Sequence, residues 1–258
     1  PYTTGGAINL ISTQIPDQFS GKISLLGGSF GGRNLHAVVG NSHKNFAYMI
    51  ETFQYGSNGF GGNRGFDRNS GFVKQDYMAK FRVNTNADAK IYQSLTFKIG
   101  QSTGGINETY LGLTQEDFDT NPIRRYAGSQ ADNIATEQTQ FSLTHRAKFS
   151  KWFNVTTVAY RTNFSRNWYK LDNVKDSTGT KTKIGALLDN PSNSNDAYAI
   201  LTGTSSKNDD ALFVKANNRN YYSQGVQTTL NFNFKTNKIK HNIDLGIRVH
   251  EDQIDRFQ

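Results

Sequence analysis

Phe72-Val73-Lys74-Gln75-Asp76-Tyr77-Met78-Ala79-Lys80-Phe81-Arg82-Val83-Asn84 alternates residue by residue. Val73, Tyr77, Ala79, Phe81 and Val83 share one parity, and Lys74, Asp76, Lys80 and Arg82 share the other. Successive side chains of a strand point to opposite faces, so the stretch reads as a strand with one apolar and one charged face. A helix would need apolar residues at i, i+3 and i+4, and this stretch fails that test.

The same period recurs on both sides of it. Ile91, Leu95, Phe97 and Ile99 oppose Tyr92, Ser94, Thr96 and Lys98. Val226, Leu230, Phe232 and Phe234 oppose Gln227, Thr229, Asn231 and Asn233. Ile239, Ile243, Leu245, Ile247 and Val249 oppose Lys240, Asn242, Asp244 and Arg248. Extended over the chain, the pattern predicts about nine strands, at 21–28, 33–41, 46–56, 72–84, 90–103, 138–150, 153–169, 220–235 and 239–252. The connections between them alternate. Ser42–Asn45, Thr85–Ala89, Lys151–Trp152 and Thr236–Lys238 are tight turns, whereas Ser57–Gly71, Gly104–Glu137 and Lys170–Arg219 are long.

In an up-and-down sheet, alternate connections lie at opposite ends, so one end is trimmed and the other carries large loops. A transmembrane β-barrel of the outer-membrane type has this asymmetry, with a wet lumen that tolerates charge. The competing expectation is a soluble antiparallel sandwich, although loops this long are uncommon in compact soluble domains. Nine strands are not the even number of a complete bacterial barrel, so the chain is expected to be a piece of a larger protein.

Composition agrees. Among 258 residues only 35% are hydrophobic, yet 18 Phe and 12 Tyr are present, more aromatic than disordered chains. Mean hydropathy is −0.64, and no apolar run is long enough for a transmembrane helix. The formal charge of +8 is dispersed. Its densest point is the pair Arg124-Arg125, which gives nucleic-acid binding little support.

Cys is absent, and His36, His43, His145, His241 and His250 show no ligand spacing, so no protein-bound metal or cofactor is expected. Gly61-Gly62 and Gly104-Gly105 precede no helix and so are not phosphate cradles, and no catalytic residues are assigned. Tyr48, Tyr55, Tyr77, Trp152, Phe153, Tyr160, Trp168, Tyr169, Tyr221 and Tyr222 lie near strand ends, where interfacial girdles form.

The opening Pro1-Tyr2-Thr3-Thr4-Gly5-Gly6-Ala7-Ile8-Asn9-Leu10-Ile11-Ser12 resembles the end of the plug domain of TonB-dependent outer-membrane receptors, with Gly5, Gly6 and Asn9 as its motif. Thr109 to Phe118, followed by Asn121-Pro122-Ile123-Arg124-Arg125-Tyr126, is similar to an outer loop of ferric-dicitrate-type members, and Asp244 to His250 to one of their barrel strands. The resemblance implies an all-β fold: an antiparallel transmembrane β-barrel, of which the chain supplies about nine of 22 strands. Residues 1–18 would be the end of the plug and a linker, and 19–258 the first part of the barrel. It further implies energy-coupled uptake of a ferric chelate across the outer membrane of a Gram-negative bacterium, with iron only as cargo. The partners would be outer-membrane lipid or lipopolysaccharide and the TonB complex, contacted through a region this chain lacks.

Ferric citrate is anionic, and Arg presents a planar fork to carboxylates. Arg124, Arg125, Tyr126 and Gln130 are therefore the candidate ligand-binding residues. The alternative is that Arg124 and Arg125 pair with Glu116, Asp117 or Asp119 to order their loop. Arg33, Arg64, Arg68, Arg82 and Lys98 form a second basic group, expected to meet the plug. Import of cobalamin, glycans or peptides by the same architecture, or a non-transporting surface adhesin, are the rival functions.

Overall fold

The computed structural model describes residues 5–6, 10–59, 70–107, 109–205 and 209–257. The alternating runs form β1 (Ser20–Gly28), β2 (Gly32–Ser42), β3 (Phe46–Ser57), β4 (Phe72–Asn84), β5 (Tyr92–Ile106), β6 (Asn133–Lys148) and β7 (Phe153–Lys175). After two short strands, β8 (Lys181–Lys183) and β9 (Leu212–Ala216), come β10 (Asn218–Thr236) and β11 (Ile239–Phe257). All pairs are antiparallel, in the order β1-β2-β3-β4-β5-β6-β7-β10-β11, with β8 and β9 also on β7.

Nine long strands thus stand where the alternation puts them, but several run further. β7 reaches Lys175 rather than residue 169. Its last turn-ward stretch pairs with β9 through a register shift between Leu171 and Asn173, so the period of two is broken there.

The register sorts the side chains. Tyr48, Phe81, Phe97, Leu143, Ala159, Val226 and Val249 lie side by side across seven strands. This outward row is apolar throughout. Six residues nearer the long loops, the same face carries Gln54, Gln75, Thr103, Glu137, Ser165, Asn220 and Asp255. The apolar belt is bare: Phe81 is 39% exposed, Val83 52% and Phe234 44%. On the opposite face Lys80 is only 7% exposed. This is the reverse of a sandwich, in which the apolar faces would meet in a dry interior.

The aromatic residues divide by parity. Tyr48, Tyr77, Tyr169 and Tyr222 fall on the outward face, and Phe153 stacks with Phe149 and Phe232 at the trimmed end. Tyr55, Tyr160, Trp168 and Tyr221 fall on the inward face instead. They cannot join an outer girdle, because parity rather than nearness to a strand end fixes the face.

Close approaches at Gly225 and Gly40, among others, need glycine. Tyr160, Gly225 and His250 are direct neighbours in one inward row. The Tyr160 hydroxyl crosses Gly225 to lie 2.6 Å from His250 Nδ1. A Cβ on Gly225 would stand 2.5 Å from the Val249 carbonyl and 2.7 Å from the Tyr160 hydroxyl. Gly225→Val is expected to cost about 1–3 kcal/mol, read as a lower urea midpoint. Gln227→Val, exposed on the same face, should leave it unchanged. Gly40 makes the second approach, since a Cβ there would meet Pro16 Cδ at 2.7 Å.

The largest buried apolar cluster among the described residues lies outside the sheet proper. Tyr126, Leu171, Val174, Ile184, Leu187, Ala197, Ile200, Leu201 and Ala211 form it. It joins the long connections 107–132 and 176–217 to the end of β7. Those connections contain α1 (Gln115–Thr120), α2 (Ile184–Asp189) and α3 (Asn195–Thr202).

Candidate functional site

Three places gather chemistry on the inward face and in the loops above it. The first is the N-terminal segment. Ser12 to Pro16 lies against β2–β4, beneath which Met49 and Ala47 are fully buried. Lys80 Nζ donates to the backbone carbonyls of Thr13 (2.5 Å) and Ser12 (3.3 Å). Thr13 donates to Glu51 Oε1 (2.9 Å), which also meets His36 Nε2 (2.8 Å), and Ser42 Oγ donates to the Pro16 carbonyl (2.7 Å). Of the motif before it, Gly5 and Gly6 are described, Gly6 with φ 94°, and Asn9 lies outside the described residues.

The second place is the loop pair. Thr114 caps α1, its Oγ accepting from the Asp117 amide at 3.2 Å. Asp117 then becomes a hub. Tyr126 donates to Oδ2 at 2.7 Å, Tyr198 of α3 donates to the same oxygen, and Arg124 pairs with Oδ1. Burial acts to raise the Asp117 carboxyl, but the Tyr198 and Tyr126 hydrogen bonds and the Arg124 charge outweigh it and hold it below its ordinary value. Burial keeps Tyr126 protonated far above the usual range.

Arg125 is buried and donates to the carbonyls of Asn107 (2.5 Å) and Ser129 (3.0 Å). Asp132, raised by burial despite bonds from Thr109 and the Leu171 amide, ties the loop base to β7. The expected ligand residues are therefore split. Arg124, Arg125 and Tyr126 all line a polar cleft of about 650 Å³ between α1 and α3, Arg125 and Tyr126 being themselves buried in the loop, whereas Gln130 is exposed and outside that lining.

Because the Asp117 value is depressed on folding, its contribution is full above the unfolded carboxylate range and fades as pH falls through the folded value. Cleavage of 107–132 by pepsin should accelerate as pH drops below about 4. Asp117→Asn should be cleaved faster at neutral pH by a neutral protease, and should lose that acid-dependent increment.

The third place was not legible as a motif. Arg166 of β7, Arg219 of β10 and Arg256 of β11 stand directly opposite one another on the inward face, at the end bearing the long loops. Strand spacing places neighbouring backbones only ~4.8 Å apart. Asn217 Oδ1 accepts from Arg219 Nε (3.0 Å) and Arg166 Nη2 (3.4 Å), and Tyr221 accepts from Arg219 Nη1 (3.3 Å). Arg166 Nε is buried with no partner. Among the described residues none of the three pairs with a carboxylate. Like charges directly opposed across strands are destabilising unless an anion lies between them. Lys170 adds a further cation nearby, 4.4 Å from the Tyr110 ring and 5.1 Å from the Trp168 ring.

Of the second basic group, Lys98 sits beside Lys80 and Arg82 on the inward face, whereas Arg33 has outward parity and donates to the Gly31 carbonyl at 3.3 Å. Arg64 and Arg68 lie outside the described residues.

No family model matches the sequence, and no curated protein matches it at a significant level. Solved structures do match in fold. The ferric-catecholate import receptor Fiu from E. coli K12, in its closed form, has a TM-score of 0.66 at 11% identity, over 98% of this chain and 34% of that one. The ferric citrate transporter FecA, unliganded, gives 0.66 at 15% identity, over 98% and 32%. The siderophore receptor PiuA from Acinetobacter baumannii gives 0.60 at 10% identity, over 95% and 32%. The chain thus spans about a third of the length of each structure it matches and shares the fold of part of the barrel.

Proposed function

We propose that the chain is the first part of the barrel of a TonB-dependent outer-membrane receptor, and that the whole protein takes up an anionic ferric chelate, ferric dicitrate or a similar siderophore. The observation that carries this reading is a continuous apolar belt across one face, backed on the other face by an arginine row at the end with the long loops. The belt suits hydrocarbon, and the arginines suit a multiply charged cargo in a wet lumen. Arg166, Arg219 and Arg256 would hold chelate carboxylates. Arg124 and Gln130 would present to it from the loop, with Arg125 and Tyr126 positioning that loop.

Residues 1–18 would be the end of the plug and its linker, a reading supported by the Lys80 and Ser42 bonds to the backbone of Ser12, Thr13 and Pro16. The TonB complex would engage the protein outside this chain, the surrounding lipid would be that of the outer membrane, and no chemical step is assigned to the protein itself. A catecholate chelate is the second reading, because the catecholate and citrate receptors match equally well in TM-score.

The test is uptake of radiolabelled ferric citrate and of a ferric tris-catecholate by iron-limited cells with and without the gene. Uptake of citrate iron that depends on the gene supports the first reading, dependence for the catecholate alone supports the second, and dependence for neither removes both.

A further inference from the structure

We propose that the outward face of β6–β11 holds one membrane lipid in place, its acyl chain over Ala159 and its phosphate headgroup on Arg161. This rests on the membrane reading above. The apolar row is built of large side chains except at Ala159, which stands between Leu143 and Val226. The gap opens a depression of about 520 Å³ walled by Phe97, Phe141, Leu143, Val226 and Val249. Unfilled, such walls lack contact atoms on one side, so a flexible hydrocarbon chain gains dispersion and burial there.

Arg161 lies two residues nearer the long loops on the same face, in the first polar row above the belt on β7, with Gln224 and Glu251 beside it. Its side chain is pinned by neutral groups. Nε donates to Asn163 Oδ1 (3.0 Å), Nη1 donates to Gln224 Oε1 (2.8 Å), and the guanidinium sits 4.8 Å over the Tyr222 ring. Glu251 accepts from Gln224 (2.7 Å) and Tyr222 (2.9 Å) and lies within electrostatic reach of Arg161, but among the described residues no carboxylate forms an ion pair with Arg161. An exposed, oriented cation directly above an apolar depression matches an anionic headgroup joined to an acyl chain. Its height, on the side of the long loops, assigns the lipid to the outer leaflet.

The protein carrying this chain, extracted from membranes in detergent, would be titrated in native mass spectrometry with phosphatidylglycerol and with diacylglycerol of the same acyl chains. Phosphatidylglycerol should bind about fivefold more tightly, the worth of one basic side chain at a membrane surface. Arg161→Gln should erase that preference, and Ala159→Phe, which fills the depression, should weaken both lipids. Both sites are on the outer surface, and heat-modifiable gel mobility would verify folding. Equal phosphatidylglycerol binding by the parent and both variants overturns the lipid site alone. A protein that stays in the aqueous phase without detergent overturns the membrane reading itself.

Discussion

Leu143→Arg is expected to destabilise the folded protein by about 2–4 kcal/mol, the depth-dependent cost of a basic side chain on a lipid-facing strand, and to deplete it from the outer membrane. Ser142→Arg, one residue earlier on the wet face, should cost less, at most the repulsion of Lys98 across the strand. Leu143 is outward and exposed in the apolar belt. Ser142 stands next to Lys98 on the wet face, where polar and cationic groups already gather. Parity alone separates the two variants, so size and charge cancel in the comparison. Urea titration of protein refolded into vesicles reads the stability, and heat-modifiable mobility of membrane extracts reads the assembly. Equal behaviour of the two variants would mean that neither face meets lipid.

Arg219→Ala is expected to weaken ferric citrate binding by roughly ten- to hundredfold, the loss of about 1.5–3 kcal/mol for a charge-assisted hydrogen bond. Arg219 is the middle member of the arginine row, with Arg166 on one side and Arg256 on the other. Arg219→Lys keeps the charge and loses the fork, so it should recover only part of the affinity. Removing one of three opposed cations also relieves repulsion, so the empty protein should be no less stable, or slightly more so. Loss of affinity without loss of stability is the signature of a binding role, and calorimetry with urea titration measures both. Unchanged affinity would exclude the row from the site and return attention to Arg124.

The fold was legible because parity is a local property. Val73 through Val83 announces its two faces without knowledge of any partner, and the tight turns fix which strands are neighbours. The arginine row was only half legible. Counting back from the turn at 237–238 pairs Arg219 with Arg256, since a two-residue connection leaves no slack. Arg166 joins Arg219 across a connection of 176–217, whose length hides the register.

The loop unit was missed for another reason. Ile184, Leu187 and Leu188, and again Ala197, Ile200 and Leu201, sit at the i, i+3, i+4 spacing of a helix. Those signals are only six and eight residues long, too short to stand out beside strands. Of the expected ligand residues, Arg124 and Arg125 were told apart only by packing. The pairing of Arg124 with Asp117 was foreseen as an alternative, whereas the burial of Arg125 against carbonyls was not.

The outward belt does not run square to the strands. On β1 it lies at Ile23 and Leu25, and following the register from Leu25 across the sheet arrives at Asp255 on β11. There the apolar residues are Leu245, Ile247 and Val249, so the belt slips by about one residue at each step between neighbours. With a rise of ~3.3 Å per residue and ~4.8 Å between strands, that slippage corresponds to strands leaning about 35° from the bilayer normal, the inclination a closed cylinder requires. The oblique course of the greasy side chains therefore encodes the shear of the vessel they surround.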